Sequence, residues 1–261
     1  KQLPIGIFDS GLGGLTVLQQ LKKQLPREKF IYFGDTANVP YGNKSPKVII
    51  QYCLKIIKFF EQKGVKLIIV GCNTASSVAL QTIKQHTTLP VLDVIKPCVE
   101  KAIEATNNNK IGIIGTQTTI QSKSYQKQIT LLDSNIKVYT KACPLFVPII
   151  EEGLFHHDIA HQIILLYLLK FTQNKHDTLI LGCTHYPLLK QIISKHVKSS
   201  TIIDSSITTA LHVSKYLQSY NLKVKRQTKK EDEFYVSDAP NKFKNMSRLF
   251  LKKPIKNINK I

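Results

Sequence analysis

Two short strings in this chain set a thiol beside amide and hydroxyl donors: Cys72-Asn73-Thr74 and Cys183-Thr184-His185. Each follows an apolar run and a glycine, Leu67-Ile68-Ile69-Val70-Gly71 in one and Thr178-Leu179-Ile180-Leu181-Gly182 in the other. A thiol at a strand end that faces helix N-terminal N–H groups has its pKa lowered into the working range. It then serves as a general base when ionised and a general acid when protonated. Asn73, Thr74 and Thr184 supply donors for substrate carboxylates. His185 lies two residues past Cys183, on the same side of an extended chain, where it can orient that thiol or exchange protons with it. A single cysteine in such a setting is ordinarily a packing residue, so the argument rests on there being two at matched positions. The five cysteines (Cys53, Cys72, Cys98, Cys143, Cys183) contain no CxxC pair, and Cys183 with His185 lacks further ligands at a suitable spacing. Neither a disulfide framework nor a metal site is expected.

A second group of candidates lies outside these strings. Asp9-Ser10-Gly11-Leu12-Gly13-Gly14 is a glycine turn between a strand and a helix, where backbone N–H groups can approach an anion. Thr16 stands where the last glycine of GxGxxG would be, and no Gly-Lys-Ser/Thr follows. A small carboxylate therefore fits the turn better than a nucleotide. Asp9 either pins the turn or orients a neighbouring catalytic group. Glu151-Glu152-Gly153 after Phe146–Ile150 reads as a helix end, with Glu151 the acid of the pair that faces inward. His157 and His161 have a helical i, i+4 spacing but no patterned third ligand, and read as a solvated face.

The elements that must hold these residues alternate in type. Strands are predicted at Ile5–Asp9, Phe30–Gly34, Leu67–Gly71, Val91–Ile95, Lys110–Gly115, Lys137–Ala142, Thr178–Gly182, Thr201–Asp204 and Glu233–Asp238. Helices are predicted over Gly14–Leu25, Pro46–Lys63, Ala75–His86, Pro97–Asn107, Ile120–Leu132, Ala160–Thr172, Pro187–Val197, Thr208–Tyr220 and Ala239–Leu251. Lys223–Asp232 reads as a charged surface loop and the last eleven residues, LKKPIKNINKI, as a frayed tail. The fold class is α/β, with mostly parallel sheets flanked by helices. Ile5–Ser10 echoes Ile111–Thr116. Gly6 and Gly112 lie 106 residues apart and the two candidate cysteines 111 apart. That agreement predicts two similar halves, each with a cysteine at the carboxyl end of a strand, the edge at which open parallel sheets bind ligands. A (βα)8 barrel also fits the length, but the matched halves argue against it.

With 261 residues, 43% hydrophobic and 21% charged, the chain is of globular composition. No apolar run reaches the roughly 18 residues of a membrane span. The N-terminus enters a strand at once, without the pattern of a signal peptide, so a cytoplasmic location is expected. The net charge of +20 invites a nucleic-acid reading. Only Arg27, Arg226 and Arg248 are arginines, however, and base readout leans on bidentate arginine. Nucleic acid is not expected as a partner. The positive field would instead steer an anionic substrate inward.

The strings GIFDSGLGGLTVL from Gly6, GDTANVPYGNKS from Gly34, GCNTAS from Gly71, GTQTTIQS from Gly115, FVPIIEEG from Phe146 and LGCTHYPLL from Leu181 resemble those of the glutamate racemases, of the cofactor-independent aspartate/glutamate racemase superfamily. The resemblance implies two pseudo-symmetric domains with the active site in the cleft between them. The first would comprise 1–95 plus 208–261 and contribute Cys72, and the second 96–207 and contribute Cys183. It implies that Cys72 and Cys183 are the catalytic acid/bases, assisted by Asp9, His185 and Glu151. Cys183 with His185 would face the L-isomer proton, and Cys72 with Asp9 the D-isomer proton. Substrate contacts are implied for Asp9, Ser10, Tyr41, Gly42, Asn73, Thr74, Thr184 and His185, with Thr116 and Thr119 in support. No cofactor and no metal are implied. The implied substrate is glutamate, the implied assembly a homodimer, and the implied role the supply of D-glutamate for peptidoglycan. An aspartate racemase of the same superfamily is the alternative. An inactive or nucleic-acid-associated binding protein is a distant one, disfavoured because both thiols are present. One departure is Asn38, where many members have Arg before the PYG string.

Overall fold

A computed structural model describes residues 2–225 and 231–261 of the chain. Its first strand, Ile5–Asp9 (β1), is buried along its whole length, as expected of a strand covered by helices on both faces. It lies between Phe30–Gly34 (β2) and Leu67–Val70 (β3). Val91–Asp93 (β4) adds beside β3, and Glu233–Val236 (β9) beside β2. A second sheet is made of Lys110–Gly115 (β5), Lys137–Ala142 (β6), Thr178–Gly182 (β7) and Thr201–Asp204 (β8). All pairs in both sheets are parallel.

The internal echo reappears as topology. The inner order β2-β1-β3-β4 of the first sheet is matched by β6-β5-β7-β8 in the second. Register agrees as well. Gly6 pairs with Ile68 and Gly112 with Leu179. Cys72 stands four residues past Ile68, and Cys183 four past Leu179. The sheets are open and distinct, and no barrel closes.

The helices are Gly14–Gln24 (α1), Pro46–Lys63 (α2), Asn73–Gln85 (α3), Lys96–Ala105 (α4), Gln117–Gln121 (α5), Ser124–Leu132 (α6), Phe146–Glu151 (α7), Asp158–Leu168 (α8), Lys190–His196 (α9), Ser205–Ser219 (α10) and Pro240–Leu251 (α11). Local chemistry sets their ends. α2 starts with Pro46 in its first turn, where the missing N–H is not needed. It stops at Gly64, whose φ of +65° lets its N–H return to Phe60 and Glu61. α10 packs against both α1 and α4 and touches β7 and β8, so it lies between the two sheets. No helix among the described residues is long and apolar enough to cross a membrane.

Two expectations need correction. The stretch 120–132 is not one helix. Lys123 takes a left-handed conformation (φ +55°), and the Ser122 hydroxyl bonds both Thr119 and Ser124, separating α5 from α6. The tail is not frayed: Asn259–Lys260 (β10) pairs with β9 and satisfies the open edge of that strand, with Ile255 buried upstream. Residues 226–230 of the expected surface loop, Arg226 included, lie outside the described residues. The described flanks are anchored rather than free. Val224 N–H donates to Glu28 at 2.9 Å and Asp232 accepts from Phe30 N–H at 3.1 Å. Glu28 itself pairs with Lys66 at 2.6 Å in the interior.

His176, just before β7, is a buried base without a charge partner worth the name. Neither ring nitrogen has a hydrogen-bond partner among the described residues, and the ring is wedged against Gly112 and Phe171. Burial lowers its pKa, against a smaller opposing pull from Asp177. The unfolded chain thus binds a proton at His176 that the folded chain refuses. This group's contribution to stability is complete above the ordinary histidine pKa and is lost as pH falls below it. The melting temperature of His176→Leu is expected to drop less than that of the parent chain between pH 7.5 and 5.5, which differential scanning fluorimetry checks.

Candidate active site

Cys72 follows β3 and caps α3: the Ala75 N–H approaches its sulfur at 3.5 Å. The thiol also points to the Ser10 hydroxyl, 3.9 Å away across the sheet from β3 to the turn after β1. Cys183 follows β7 and sits 3.9 Å from Nδ1 of His185. The other ring nitrogen of His185 is 3.0 Å from the Glu151 carboxylate at the end of α7. A Cys–His–Glu line therefore runs through the second half, with Glu151 turned inward and Glu152 exposed.

Asp9, fully buried, links the halves. One carboxylate oxygen accepts the Gly11 N–H at 2.9 Å, and the other accepts the Thr184 hydroxyl at 3.2 Å. The Thr16 hydroxyl on α1 lies 2.8 Å from the carbonyls of both Gly13 and Thr184. Gly13 fits where no side chain could. A Cβ there would come within 2.3 Å of Thr184 Oγ1 and 2.4 Å of His185 Nδ1. A second set of bonds joins the halves: Thr74 bonds Thr116 at 2.9 Å and Thr119 at 3.3 Å, and Thr116 bonds Thr119 at 2.9 Å. Thr118, in the same turn, reaches the Gly42 carbonyl at 2.9 Å. Gly42 is packed on Thr116, which a Cβ would meet at 2.9 Å.

Two expectations change in this setting. Helix N–H groups were expected to lower the Cys72 thiol; instead its pKa is pushed up to about 12. Burial is the largest cause and the Asp9 charge adds to it, while the N–H bonds from Ala75 and Ser10 are too weak to compensate. The Tyr41 hydroxyl is committed to Asp35 at 2.5 Å, so it is the backbone of Tyr41-Gly42 that is left to meet a ligand. Asn38 donates to the same Asp35 carboxylate, at 2.9 and 3.1 Å. The two histidines of the predicted face also part. His157 caps α8, its Nδ1 accepting the Ile159 N–H at 3.3 Å, while His161 packs on His196.

The remaining titratable groups are held in unequal states. Burial raises the Asp9 carboxyl, with His185 pulling the other way. Burial alone would lower His185, but the hydrogen bonds and charges of Cys183 and Glu151 outweigh it and push it up to about 10. Glu151 is held below the usual carboxylate range, since His185 and Lys242 overcome the burial that would raise it. At neutral pH the second half thus carries an imidazolium between a thiol sulfur and a carboxylate. The first half carries a protonated thiol. A protonated thiol in one half and a thiol beside an imidazolium in the other have the chemistry of a two-base proton relay.

Gly13, Thr16, Thr118 and Tyr125, whose hydroxyl donates to Asn73, escape sequence reasoning. Each acts on a residue far along the chain, and only Gly13 had a visible signal, its glycine-rich turn.

Residues 5–213 match the family model described as Asp/Glu/Hydantoin racemase. The glutamate racemase of Geobacter metallireducens is 43% identical over 248 residues, covering 95% of this chain and 92% of that relative. The crystal structure of glutamate racemase isoform RacE1 from Bacillus anthracis superposes with a TM-score of 0.95 at 35% identity, covering 100% of this chain and 98% of that one. The glutamate racemase of Francisella tularensis subsp. tularensis SCHU S4, solved in complex with D-glutamate, gives a TM-score of 0.93 at 38% identity, covering 100% and 97%. Fold, matched thiol positions and full-length similarity agree, and the chain belongs to the Asp/Glu/hydantoin racemase family.

Proposed function

We propose that this chain interconverts L- and D-glutamate by two-thiol proton transfer. The observation that supports it most is the placement of Cys72 and Cys183 at equivalent positions of two sheets with the same strand order. Racemisation needs one base on each face of the α-carbon, and two equivalent halves supply that arrangement. For L-glutamate, Cys183 takes the α-proton as a thiolate with the His185 imidazolium as its counter-charge. Cys72, which keeps its proton, delivers it to the opposite face. For D-glutamate the roles reverse, and Asp9, beside Cys72 in charge and raised by burial, helps receive that proton.

The hard step is removing a weakly acidic proton next to a carboxylate, which builds an ene-diolate-like carbanion. N–H groups of the turn after β1 and of the starts of α3 and α5 are suited to that charge, as are the hydroxyls of Thr74 and Thr184. Losing one such donor costs about 2.7–4 kcal/mol in comparable sites. Asp9 and Ser10 suit the substrate ammonium. Thr116, Thr119 and the Tyr41-Gly42 backbone suit the distal carboxylate, which distinguishes glutamate from a shorter acid. In this reading 1–95 with 208–261 forms one unit and 96–207 the other, and the chain works in the cytoplasm to feed peptidoglycan synthesis. The chain assembles as a homodimer, for which the exposed Leu165, Leu166 and Leu169 at the end of α8 offer apolar surface. Light scattering that returns a monomer mass would overturn that last point.

Polarimetry on L- and D-glutamate and on both aspartates tests the reading, with purified protein and no added pyridoxal phosphate or metal. Rotation decaying to zero from either glutamate is expected. Activity on aspartate alone would overturn the glutamate assignment. Gly13→Ala carries a sharper expectation. Its new methyl must displace Thr184 and His185, and a shift near 1 Å costs roughly 10²-fold in rate. Steady-state kinetics with a thermal melt separates that loss from unfolding.

A further inference from the structure

Asn73 is the first residue of α3, directly after Cys72, and it is buried. Its Nδ2 has no hydrogen-bond partner among the described residues. A buried donor without an acceptor is costly, so such groups are almost always paired in the working state. Its Oδ1 is paired, through a short 2.6 Å bond donated by the hydroxyl of Tyr125. Tyr125 belongs to α6, on the other half of the molecule, and is 1% exposed. Near it the Cys98 thiol, which helps raise the pKa of the phenol, bonds Thr208 of α10 at 3.2 Å.

We propose that Tyr125 is a positioning residue for the racemisation: by donating to Oδ1 it fixes which edge of the Asn73 amide faces the cleft, so that Nδ2 donates to a substrate carboxylate beside Cys72. The physical need is plain. The two edges of an asparagine amide have nearly the same shape and opposite hydrogen-bonding character. An unrestrained amide can turn its oxygen toward the carboxylate and repel it. One donated hydrogen bond from a rigid, buried phenol removes that choice. Because the phenol stands on the opposite half, the substrate-binding edge at Cys72 is set only when α6 is docked on α3.

This rests on the glutamate racemase reading, so the wild-type chain is assayed first. Failure of the wild type on glutamate overturns that reading, whereas the variants below bear on Tyr125 in an active enzyme. Tyr125→Phe keeps the ring and loses the donor. It is expected to keep its melting profile and to raise KM for both enantiomers about 5- to 30-fold, with a smaller fall in kcat, as for one lost hydrogen bond to a buried polar group. Asn73→Ala is expected to raise KM about 10- to 100-fold, since the bond lost is to a charged group. The double variant should be no worse than Asn73→Ala, because Tyr125 acts through Asn73 and the two effects then fail to add. Asn73→Asp, with Tyr125 intact, still accepts from the phenol but turns a charged oxygen toward the substrate carboxylate, and should raise KM at least as much as Asn73→Ala. Wild-type kinetics in Tyr125→Phe, multiplicative losses in the double variant, or wild-type KM in Asn73→Asp would each overturn the proposal.

Discussion

Replacing Cys72 or Cys183 by alanine is expected to leave a folded chain whose racemisation of glutamate falls by at least roughly 10²- to 10⁴-fold, the contribution of one positioned acid/base. Each loss alone is nearly complete, because a thiol on one face cannot protonate the other. Folding should survive. Each side chain is small, and deleting one buried sulfur costs about 1 kcal/mol, or about 2–4 °C of melting temperature for a chain of this size. Cys53→Ala and Cys143→Ala should keep most activity. Steady-state efficiency cannot assign a thiol to a face. The enantiomers have equal free energy in water, so both directions share one kcat/KM in every variant. Exchange in deuterated water does assign it. Cys72→Ala retains the base at Cys183 and should wash deuterium slowly into L-glutamate only, while Cys183→Ala should label D-glutamate only. NMR of recovered substrate reads both. The reversed pattern would swap the faces and leave the two-base mechanism standing.

The second large effect lies in the His185–Glu151 pair. His185 keeps its proton up to about pH 10 because Cys183 and Glu151 outweigh the burial that favours its neutral form. Glu151→Gln keeps an acceptor shape but removes the charge. The sign follows directly. With one of its upward influences gone, His185 releases its proton at lower pH. The imidazolium that balances a Cys183 thiolate is then lost earlier on the alkaline side. The kcat profile of Glu151→Gln is therefore expected to turn down at lower pH than the parent profile. NMR titration of the His185 ring should show the same downward displacement. His185→Asn removes the cation at every pH and should lose roughly 10²-fold or more in kcat. A profile for Glu151→Gln that overlays the parent would remove Glu151 from the relay.

The cores of the strands were legible because buried parallel strands are written as short apolar runs, and the runs from Ile5, Leu67, Lys110 and Thr178 are bounded by Gly or Asp and by polar turns. Equivalence of the halves was legible from the spacing of Gly6, Gly112, Cys72 and Cys183. Pairing of β10 was not, because two polar residues after Pro254 carry no strand pattern, and what recruits them is the open edge of β9. The break at Lys123 was hidden for a related reason: lysine does not advertise a left-handed conformation. The Cys72 environment misled because spacing reveals the helix N–H groups but not the depth of burial, and burial dominates the thiol. Glu151 could be picked out of a Glu-Glu pair because it directly follows an apolar run. Tyr125 could not, since nothing local to residue 125 reports a partner at residue 73.

The shared strand order of the two sheets bears on a constraint that the reaction itself imposes. L- and D-glutamate are mirror images, and the planar carbanion between them reflects one into the other. A polypeptide of L-residues cannot contain a mirror plane. The nearest operation open to it is rotation, and two sheets of the same strand order, β3 of one matching β7 of the other, give the two thiols equivalent places in their halves. Rotation exchanges the bases but does not superpose the other substituents, so each enantiomer meets a different set of neighbours. His185 and Glu151 stand on one side and Asp9 with Ser10 on the other. Handedness thus returns through the individual constants: kcat and KM differ between the enantiomers and compensate, so that only their ratio respects the equality of the two mirror forms.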